Sequence, residues 1–427
     1  MKVIIMAGGK GTRVTQIADD IPKPMIPICG KVILEHQIDC LKKNELIDII
    51  LVIGHLGHQI KRYFSDGTRF GCKISYYTET EPLGTAGALY KIEDLPNDFI
   101  LVNGDIIFDI DFQRMIAFHT QKKALVSLAV HPNNHPYDSA LIKTDNNDRV
   151  TCWLNKEDRR TYYKNRVNAG IHIISRELLA DFPQPGQKVD LDRDLLKSSI
   201  SSGRIFAYQT PEYIKDMGTP ERYAQVSLDI EKGIVKQKNL KIRQKAVFLD
   251  RDGTINKFNG FVTKPEALEL IDGVAEAIAK INSAGFLAIV ITNQPVIARG
   301  EVDIETLDLI HMKMETDLGK YGAFIDEIFY CPHHPDKGFP GERPDYKIDC
   351  ECRKPKPGML FQAAEKYNID LSRSYMVGDD IRDVKAGIAA GCIPVLLTNN
   401  KPFEKTNDIH NIRIFNTLPD FAEQLIP

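Results

Sequence analysis

Two kinds of stretch alternate along the chain. Short runs of consecutive apolar residues recur in the first half, as in KVIIMAG, DIILVIG and FILVNGD. They return in the second half as AVFLD, LAIVITN, SYMVGDD and IPVLLT. Such runs suit strands buried on both faces, since successive side chains point to opposite sides. Between them lie stretches with apolar residues three and four apart, such as GVAEAIAKINSAG and GMLFQAAEKYNI, which suit helices with one buried face. Strands alternating with helices predict an α/β protein in which each half is a doubly wound, mostly parallel sheet. Ligands of such sheets bind at the carboxyl ends of the strands. The polar motifs below sit at those ends. No repeat or low-complexity tract interrupts the pattern.

The pattern restarts once. KVIIMAGGKGTR begins at residue 2 and KAVFLDRDGTIN at residue 245, each a strand running into a glycine-bearing polar turn. Residues 231–245, EKGIVKQKNLKIRQK, are basic and poor in apolar side chains. We expect one domain over 1–235, a linker over 236–244 and a second domain over 245–427. Two domains fit 427 residues at about 150 per domain.

Composition narrows the function classes. Hydrophobic content of 43% and charged content of 26% are those of an ordinary globular protein. A formal net charge of −3 gives no attraction to nucleic acid or to an anionic membrane. No run reaches the ~18 apolar residues of a membrane span, and MKVIIMAGG reads as a first strand, not a secretory signal. Cys29, Cys40, Cys72, Cys152 and Cys392 are scattered, most of them among apolar neighbours, and read as reduced core thiols. A cytoplasmic protein acting on small molecules is expected, with no nucleic-acid or membrane partner.

The first half carries phosphate-binding signals. AGGKGTR, Ala7–Arg13, has Gly8, Gly9 and Gly11 for close backbone approach. Successive N–H groups there can form an anion nest beside Thr12, and Lys10 and Arg13 add positive charge. It is neither the Walker pattern nor GxGxxG. PKPM holds Lys23 on a proline-braced segment. EPLGTAGAL, Glu81–Leu89, is a second glycine turn, expected to open a helix. LVNGD ends a strand on Asp105. NAG, Asn168–Gly170, is expected just before a strand, and YIKDMGTPERY places Asp216 in a polar turn.

These six motifs, in this order, resemble the sugar-1-phosphate nucleotidyltransferases, closest to mannose-1-phosphate and heptose-1-phosphate guanylyltransferases. The resemblance implies a Rossmann-like fold and in-line attack of a sugar phosphate on the α-phosphorus of a nucleoside triphosphate. It makes Asp105 and Asp216 ligands of Mg²⁺, a hard cation that takes oxygen donors. Arg13 and Lys23 would meet the triphosphate, Gly84 and Thr85 the base, and Asn168 and Gly170 the sugar. Lys156, in WLNKE where the family often has Glu-Lys-Pro, would contact the sugar phosphate. Guanine presents two donors on one edge, which a carboxylate accepts; Glu79 and Glu81 precede the base turn and favour GTP. ADP, CDP or UDP products stay open.

The second half opens with VFLDRDGTIN, which sets Asp250 and Asp252 two residues apart at a strand end. VITNQ, RKPKPG and MVGDDIRD follow. In this order they resemble the four motifs of the haloacid dehalogenase-like phosphatases. The resemblance makes Asp250 the nucleophile, Asp252 the general acid and base, Thr292 and Lys354 the phosphoryl contacts, and Asp250, the Asp252 carbonyl and Asp379 the Mg²⁺ ligands. Asp380 and Asp383 are acidic neighbours.

Cys331, His333, Cys350 and Cys352 form C-x-H, a gap of 16 residues, then C-x-C. Three sulfurs and one imidazole suit a closed, structural Zn²⁺ site, with His334 as an alternative ligand. The loop between them is rich in Pro, Gly and charge, so zinc would pin it and, with it, Arg353 and Lys354. FLDRDGTIN, CPHHP and CxCRKPKPGM together resemble the D-glycero-D-manno-heptose-1,7-bisphosphate 7-phosphatases, and next the histidinol-phosphate phosphatases. Asn293, Arg299 and Arg353 become candidate substrate contacts, with Lys264 a further candidate. Pro295-Val296 replaces the Ser-Gly usual in the heptose phosphatases, which leaves the anomer open. Together the halves imply a bifunctional enzyme of nucleotide-activated heptose synthesis. A histidinol-phosphate phosphatase fusion, or a nucleotide-sensing first half, are the alternatives.

Overall fold

The computed structural model describes residues 1–8, 20–180, 188–338, 340–401 and 412–425. The chain forms two compact units. The first comprises Met1–His131, Ile142–Leu154 and Val167–Asn239; the second comprises Pro132–Leu141, Asn155–Arg166 and Leu240–Pro427. Two short segments from the first half of the sequence thus belong with the second unit.

The first unit is built on a nine-stranded sheet. Its centre is parallel: Lys2–Met6 lies between Asp48–Ile53 and Asp98–Asn103, and Lys73–Thr78 pairs beyond Asp48–Ile53. Val3, Ile5, Leu51, Ile53, Ile100 and Val102 pack with Leu34, Ile38 and Leu41 of the helix Ile33–Lys43. Val167–Ser175 runs antiparallel against Asp98–Asn103 and Val126–His131. Residues 168–170 therefore lie inside this strand, not before it. Pairing is irregular between Asn168 and His172, where Gly170 takes φ +73°. A separate ribbon pairs Ile106–Asp109 with Tyr213–Asp216.

The second unit holds a six-stranded parallel sheet. Its order is Glu327–Cys331, Leu287–Asn293, Ala246–Leu249, Tyr375–Gly378, Ile393–Leu397, Arg413–Phe415. Strand residues alternate between two cores, as a doubly wound sheet requires. Val247, Leu249, Ala288 and Val290 face the helices Val274–Ser283 and Ile304–Gly319. Ala246, Phe248, Leu287 and Ile289 face Met359, Leu360 and Ala363 of the helix Gly358–Tyr367. From Ala246–Leu249 the chain moves outward through Leu287–Asn293 and Glu327–Cys331, then returns to Tyr375–Gly378 on the other side. The switch point lies at the carboxyl end of Ala246–Leu249, the place where such sheets bind ligands.

The segments 132–141 and 155–166 are fastened inside this unit. Asn165 donates its backbone N–H to Glu315 at 2.7 Å, and Tyr163 donates its own to Thr316 at 3.0 Å. Arg166 is buried, 3.6 Å from Glu315 and 3.7 Å from Glu327. Glu327 also meets Lys366 and Tyr367.

Two further local expectations are corrected. EPLGTAGAL leads into a 3-10 turn, Gly87–Lys91, not an α-helix; its glycines are weak helix formers. Cys29 is exposed, while Cys40, Cys72 and Cys392 are buried thiols. Among the described residues no helix is long and apolar enough to cross a membrane.

Candidate active sites

Asp250 follows the last residue of Ala246–Leu249, and its backbone N–H donates to Val377 O at 2.9 Å. The position of Asp250 is therefore fixed by the sheet itself. Lys354 reaches the same point from the loop after the cysteines: Nζ lies 2.8 Å from Asp250 and 2.6 Å from Asp383. Asn293, at the end of the neighbouring strand, holds the lysine by its backbone. Its Oδ1 accepts from Lys354 N–H and its Nδ2 donates to Lys354 O, both at 3.0 Å. Asn293, expected as a substrate contact, thus positions Lys354.

Asp250, Asp379 and Asp383 bring carboxylate oxygens within 4.8 Å of one another. Burial, and then the Asp250 charge, push Asp379 up to about 6. The same two causes raise Asp383. Burial opposes the charge on Lys354, but Asp250 and Asp383 outweigh it and raise its pKa. Three acidic groups thus face one ammonium, and hard oxygen donors in that excess fit a divalent cation such as Mg²⁺. Gly253, at φ +85°, lies under the cluster; a Cβ there would come within 2.2 Å of Asp379 Oδ2. Asp383 is a cluster member that the sequence motifs left as a neighbour. Its spacing from Asp380, one helical turn, is the signal: Asp380 caps the helix Ile381–Ala390, and Asp383 completes the capping box.

Thr292 is buried, and its Oγ1 accepts from Gln294 at 2.9 Å. Asp252 lies two residues past Asp250, its carboxylate bound by Arg251, Asn256 and Gln294. Arg299 pairs with Glu301 at 3.0 Å and lies over the Phe261 ring. Val296 is buried with Ile297, Val302 and Leu307, so this side chain packs into a small core.

The four sulfur and nitrogen candidates do converge. Cys331 Sγ lies 3.5 Å from Cys350 Sγ, Cys350 lies 3.2 Å from Cys352, and His333 Nδ1 is 3.4 Å from Cys352 and 3.8 Å from Cys331. Zn–S bonds of about 2.3 Å arranged tetrahedrally put sulfurs about 3.8 Å apart, so the cluster fits zinc. Contacts from Cys331, Cys350 and His333 draw Cys352 down to about 5, against the effect of burial, favouring its thiolate. His334 instead accepts from Asp336 N–H. Arg353 donates to His333 O at 3.1 Å, which ties it to this loop.

In the first unit the ribbon brings two aspartates together. Asp216 is in register with Ile106, and Met217 N–H donates to Asp105 O at 3.1 Å. Lys23, on the turn Lys23–Met25, lies 2.5 Å from Asp105. Arg222 holds both oxygens of Asp216, at 2.8 and 2.9 Å. Nearby, a Cβ at Gly170 would meet Asn103 Nδ2 at 2.5 Å. Asn168 donates to Asp192 at 3.4 Å, and burial raises Asp192 to about 6. Asp192 was not among the expected residues; its signal is the acidic run VDLDRD.

Gly84, at φ +82°, packs against Val189, and Thr85 Oγ1 accepts from Leu191 N–H at 2.7 Å. Gly8 abuts the Glu79 carboxylate, whose pKa is raised by burial, whereas Glu81 is exposed. Lys156 falls in the segment belonging to the second unit, exposed, with Glu157 3.8 Å away. Gly9, Gly11, Thr12 and Arg13 lie outside the described residues.

Residues 2–233 match the family model of nucleotidyl transferases, more than half of the chain. The chain belongs to the nucleotidyl transferase family. Residues 351–422 match a second model, HAD-hydrolase-like. Relatives follow the same split. The D-glycero-beta-D-manno-heptose-1,7-bisphosphate 7-phosphatase of Yersinia pestis is 39% identical over 181 residues, 42% of this chain and 94% of that protein. The mannose-1-phosphate guanylyltransferase of Mycobacterium tuberculosis is 32% identical over 236 residues, 54% of this chain and 65% of that protein. A crystal structure of D,D-heptose 1.7-bisphosphate phosphatase from B. bronchiseptica, complexed with magnesium and phosphate, is 37% identical. That match covers 43% of this chain and 98% of the other, with a TM-score of 0.38. This nucleotidyltransferase is therefore an enzyme joined to a phosphatase, on two α/β domains.

Proposed function

We propose that the phosphatase unit removes the 7-phosphate of D-glycero-D-manno-heptose 1,7-bisphosphate, and that the transferase unit couples the remaining 1-phosphate to GMP from GTP, releasing pyrophosphate. The observation that carries this reading is Asp250 seated at the switch point against Lys354, in a half-chain similar over nearly its whole length to a heptose bisphosphate phosphatase. The guanylyl assignment rests on the 32% identity to a guanylyltransferase and on Glu79 beside the glycine turn. Both reactions belong to soluble small-molecule metabolism in the cytoplasm.

In the phosphatase, Asp250 attacks phosphorus and the sugar alkoxide leaves, giving an aspartyl phosphate. Asp252 donates the proton to the leaving oxygen, then takes one from the water that cleaves the acyl phosphate. Thr292 holds the phosphoryl group, and Lys354 offsets its charge. Mg²⁺ held by Asp250, the Asp252 carbonyl and Asp379 would neutralise further charge on the phosphoryl oxygens. Zn²⁺ on Cys331, His333, Cys350 and Cys352 would fix the loop carrying Arg353 and Lys354. In the transferase, Lys23 and Arg13 bind the triphosphate, Gly8, Gly9, Gly11 and Thr12 line it, and Gly84, Thr85 and Glu81 meet the base. Asn168 and Gly170 meet the sugar, and Asp105 and Asp216 would hold Mg²⁺.

The test is mass spectrometry of products from each anomer of the bisphosphate with Mg²⁺ and all four nucleoside triphosphates. A GDP-heptose mass, lost in Asp250→Asn and separately in Asp105→Asn, is expected. Recovery of unreacted bisphosphate would overturn the heptose assignment.

A further inference from the structure

An arginine beside a phosphatase nucleophile invites reading as a phosphate ligand, and Arg251 sits between Asp250 and Asp252. The geometry excludes it. Arg251 is fully buried, with no exposed surface, and all three guanidinium nitrogens are engaged inside the protein. Nε donates to Asp252 Oδ1 at 3.1 Å, and Nη2 meets both Asp252 oxygens at 2.9 Å. Nη2 also donates to Gln294 Oε1 at 3.0 Å, and Nη1 lies 3.3 Å from His311 Nε2. Gln294 closes the ring: its Nε2 donates to Asp252 Oδ2 at 2.8 Å.

We infer that Arg251, braced by Gln294 and by His311 behind it, is a positioning residue that sets the orientation of the Asp252 carboxylate. Three elements meet in this network. Arg251 and Asp252 come from the turn after Ala246–Leu249, Gln294 from the end of Leu287–Asn293, and His311 from the middle of Ile304–Gly319. The turn is itself closed by Ile255 and Asn256 N–H groups donating to Arg251 O at 2.8 and 3.0 Å, which sets Asn256 Nδ2 against Asp252 Oδ1. A planar guanidinium fork grips both oxygens of one carboxylate, fixing the plane as well as the distance. Lysine keeps the charge but loses the fork. Burial lowers the His311 pKa well below its usual value, and the Arg251 charge lowers it further, so the imidazole is neutral and accepts from Arg251. Proton transfer to a leaving alkoxide needs the acid within hydrogen-bond reach in the right orientation, so a carboxylate free to rotate would lose rate without losing substrate affinity.

The inference rests on Asp252 acting as acid and base. The full-length protein is assayed with heptose bisphosphate, whose alkoxide must be protonated, and with 2,4-dinitrophenyl phosphate, whose leaving group needs no proton. In Arg251→Met, kcat for the sugar phosphate should fall about 100-fold, within the range general acid catalysis supplies, with KM within twofold. The first-turnover burst on the aryl phosphate should fall less than tenfold. Arg251→Lys should lie between, and His311→Leu should show the same pattern at about three- to tenfold; these two keep the test alive if Arg251→Met does not fold. Equal losses on both substrates in the Arg251 and His311 variants would overturn the positioning role. Asp252→Asn separates the two readings. If it shows no difference between substrates, the acid–base assignment fails; if it alone shows one, only the role of Arg251 fails.

Discussion

In the transferase unit each candidate metal-binding carboxylate has a cation of its own: Lys23 lies 2.5 Å from Asp105, and Arg222 grips Asp216. In the phosphatase unit Asp250, Asp379 and Asp383 gather around Lys354, with Arg382, held by Asp380, the next cation. Carboxylates and cations are near balance in the first group, and carboxylates are in excess in the second. The contrast implies different ways of taking up Mg²⁺. The phosphatase cluster wants a divalent cation before any substrate arrives. The transferase pair would have to release Lys23 and Arg222 first, and an incoming triphosphate would give those cations a stronger partner, so we expect a metal there to enter with the nucleotide. Mg²⁺ commonly binds through one or two carboxylates plus substrate phosphates.

The sharpest way to break this comparison is to remove the cations. Lys354→Met should lower phosphate release about 1,000-fold, the loss of a preorganised charge facing the phosphoryl group, and leave nucleotidyl transfer intact. Lys23→Met should lower nucleotidyl transfer about 100-fold, and combined with Arg222→Met it should let Mn²⁺, as a probe, bind Asp105 and Asp216 without nucleotide. Isothermal titration with Mn²⁺ reads the second point directly: one nucleotide-independent site in the native protein, two in the Lys23→Met, Arg222→Met double variant. Two such sites in the native protein would sink the contrast.

Arg166 supplies a control of intermediate size. It is a buried cation beside two carboxylates, Glu315 and Glu327, the second of which also has Lys366. Charge there is balanced, so no metal dependence is expected, only stability. Arg166→Met should destabilise the phosphatase unit by about 3 kcal/mol, the scale of leaving a buried charge without its partner. Denaturant melts should show that loss equally with and without Mg²⁺. Cys350→Ser tests the sulfur cluster in the same unit. Bound zinc should fall from about one per chain to near zero, and phosphatase activity should fall with it, because Arg353 and Lys354 follow Cys352 directly.

Strand ends and ligand spacings were legible in the sequence because they are local. An apolar run closing on Asp105, Asp250 or Asp379, and C-x-H followed by C-x-C, need no knowledge of packing. What depended on distant partners was not legible. Nothing in WLNKEDRRTYYKNRV shows that residues 155–166 pack with Glu315 and Thr316, about 150 positions away, or that Arg166 would be buried. Arg251 drew no role from the sequence motifs, and only its burial against His311 and its grip on Asp252 point to one. Asp383 joined the metal cluster because a capping box turned its side chain toward Lys354, a detail of helix geometry that motif spacing suggests only in retrospect.

The smallest expected effect tests the charge excess itself. Burial and the Asp250 charge raise Asp379 to about 6, so between its ordinary value near 4 and about 6 the folded protein binds more protons than the unfolded chain. Stability of the metal-free phosphatase unit must therefore fall as pH rises through that window. Mg²⁺ reverses the trend, since it binds the ionised carboxylates and competes with the proton. Thermal melts at pH 5 and pH 7.5 should show Mg²⁺ raising the phosphatase Tm by several degrees at the higher pH and by little at the lower. Asp379→Asn should shrink the difference between the two pH values, leaving the part that Asp383, raised by the same two causes, contributes. An Mg²⁺ shift of equal size at both would mean that the cluster is not short of positive charge, and the contrast with the transferase pair would lose its physical basis.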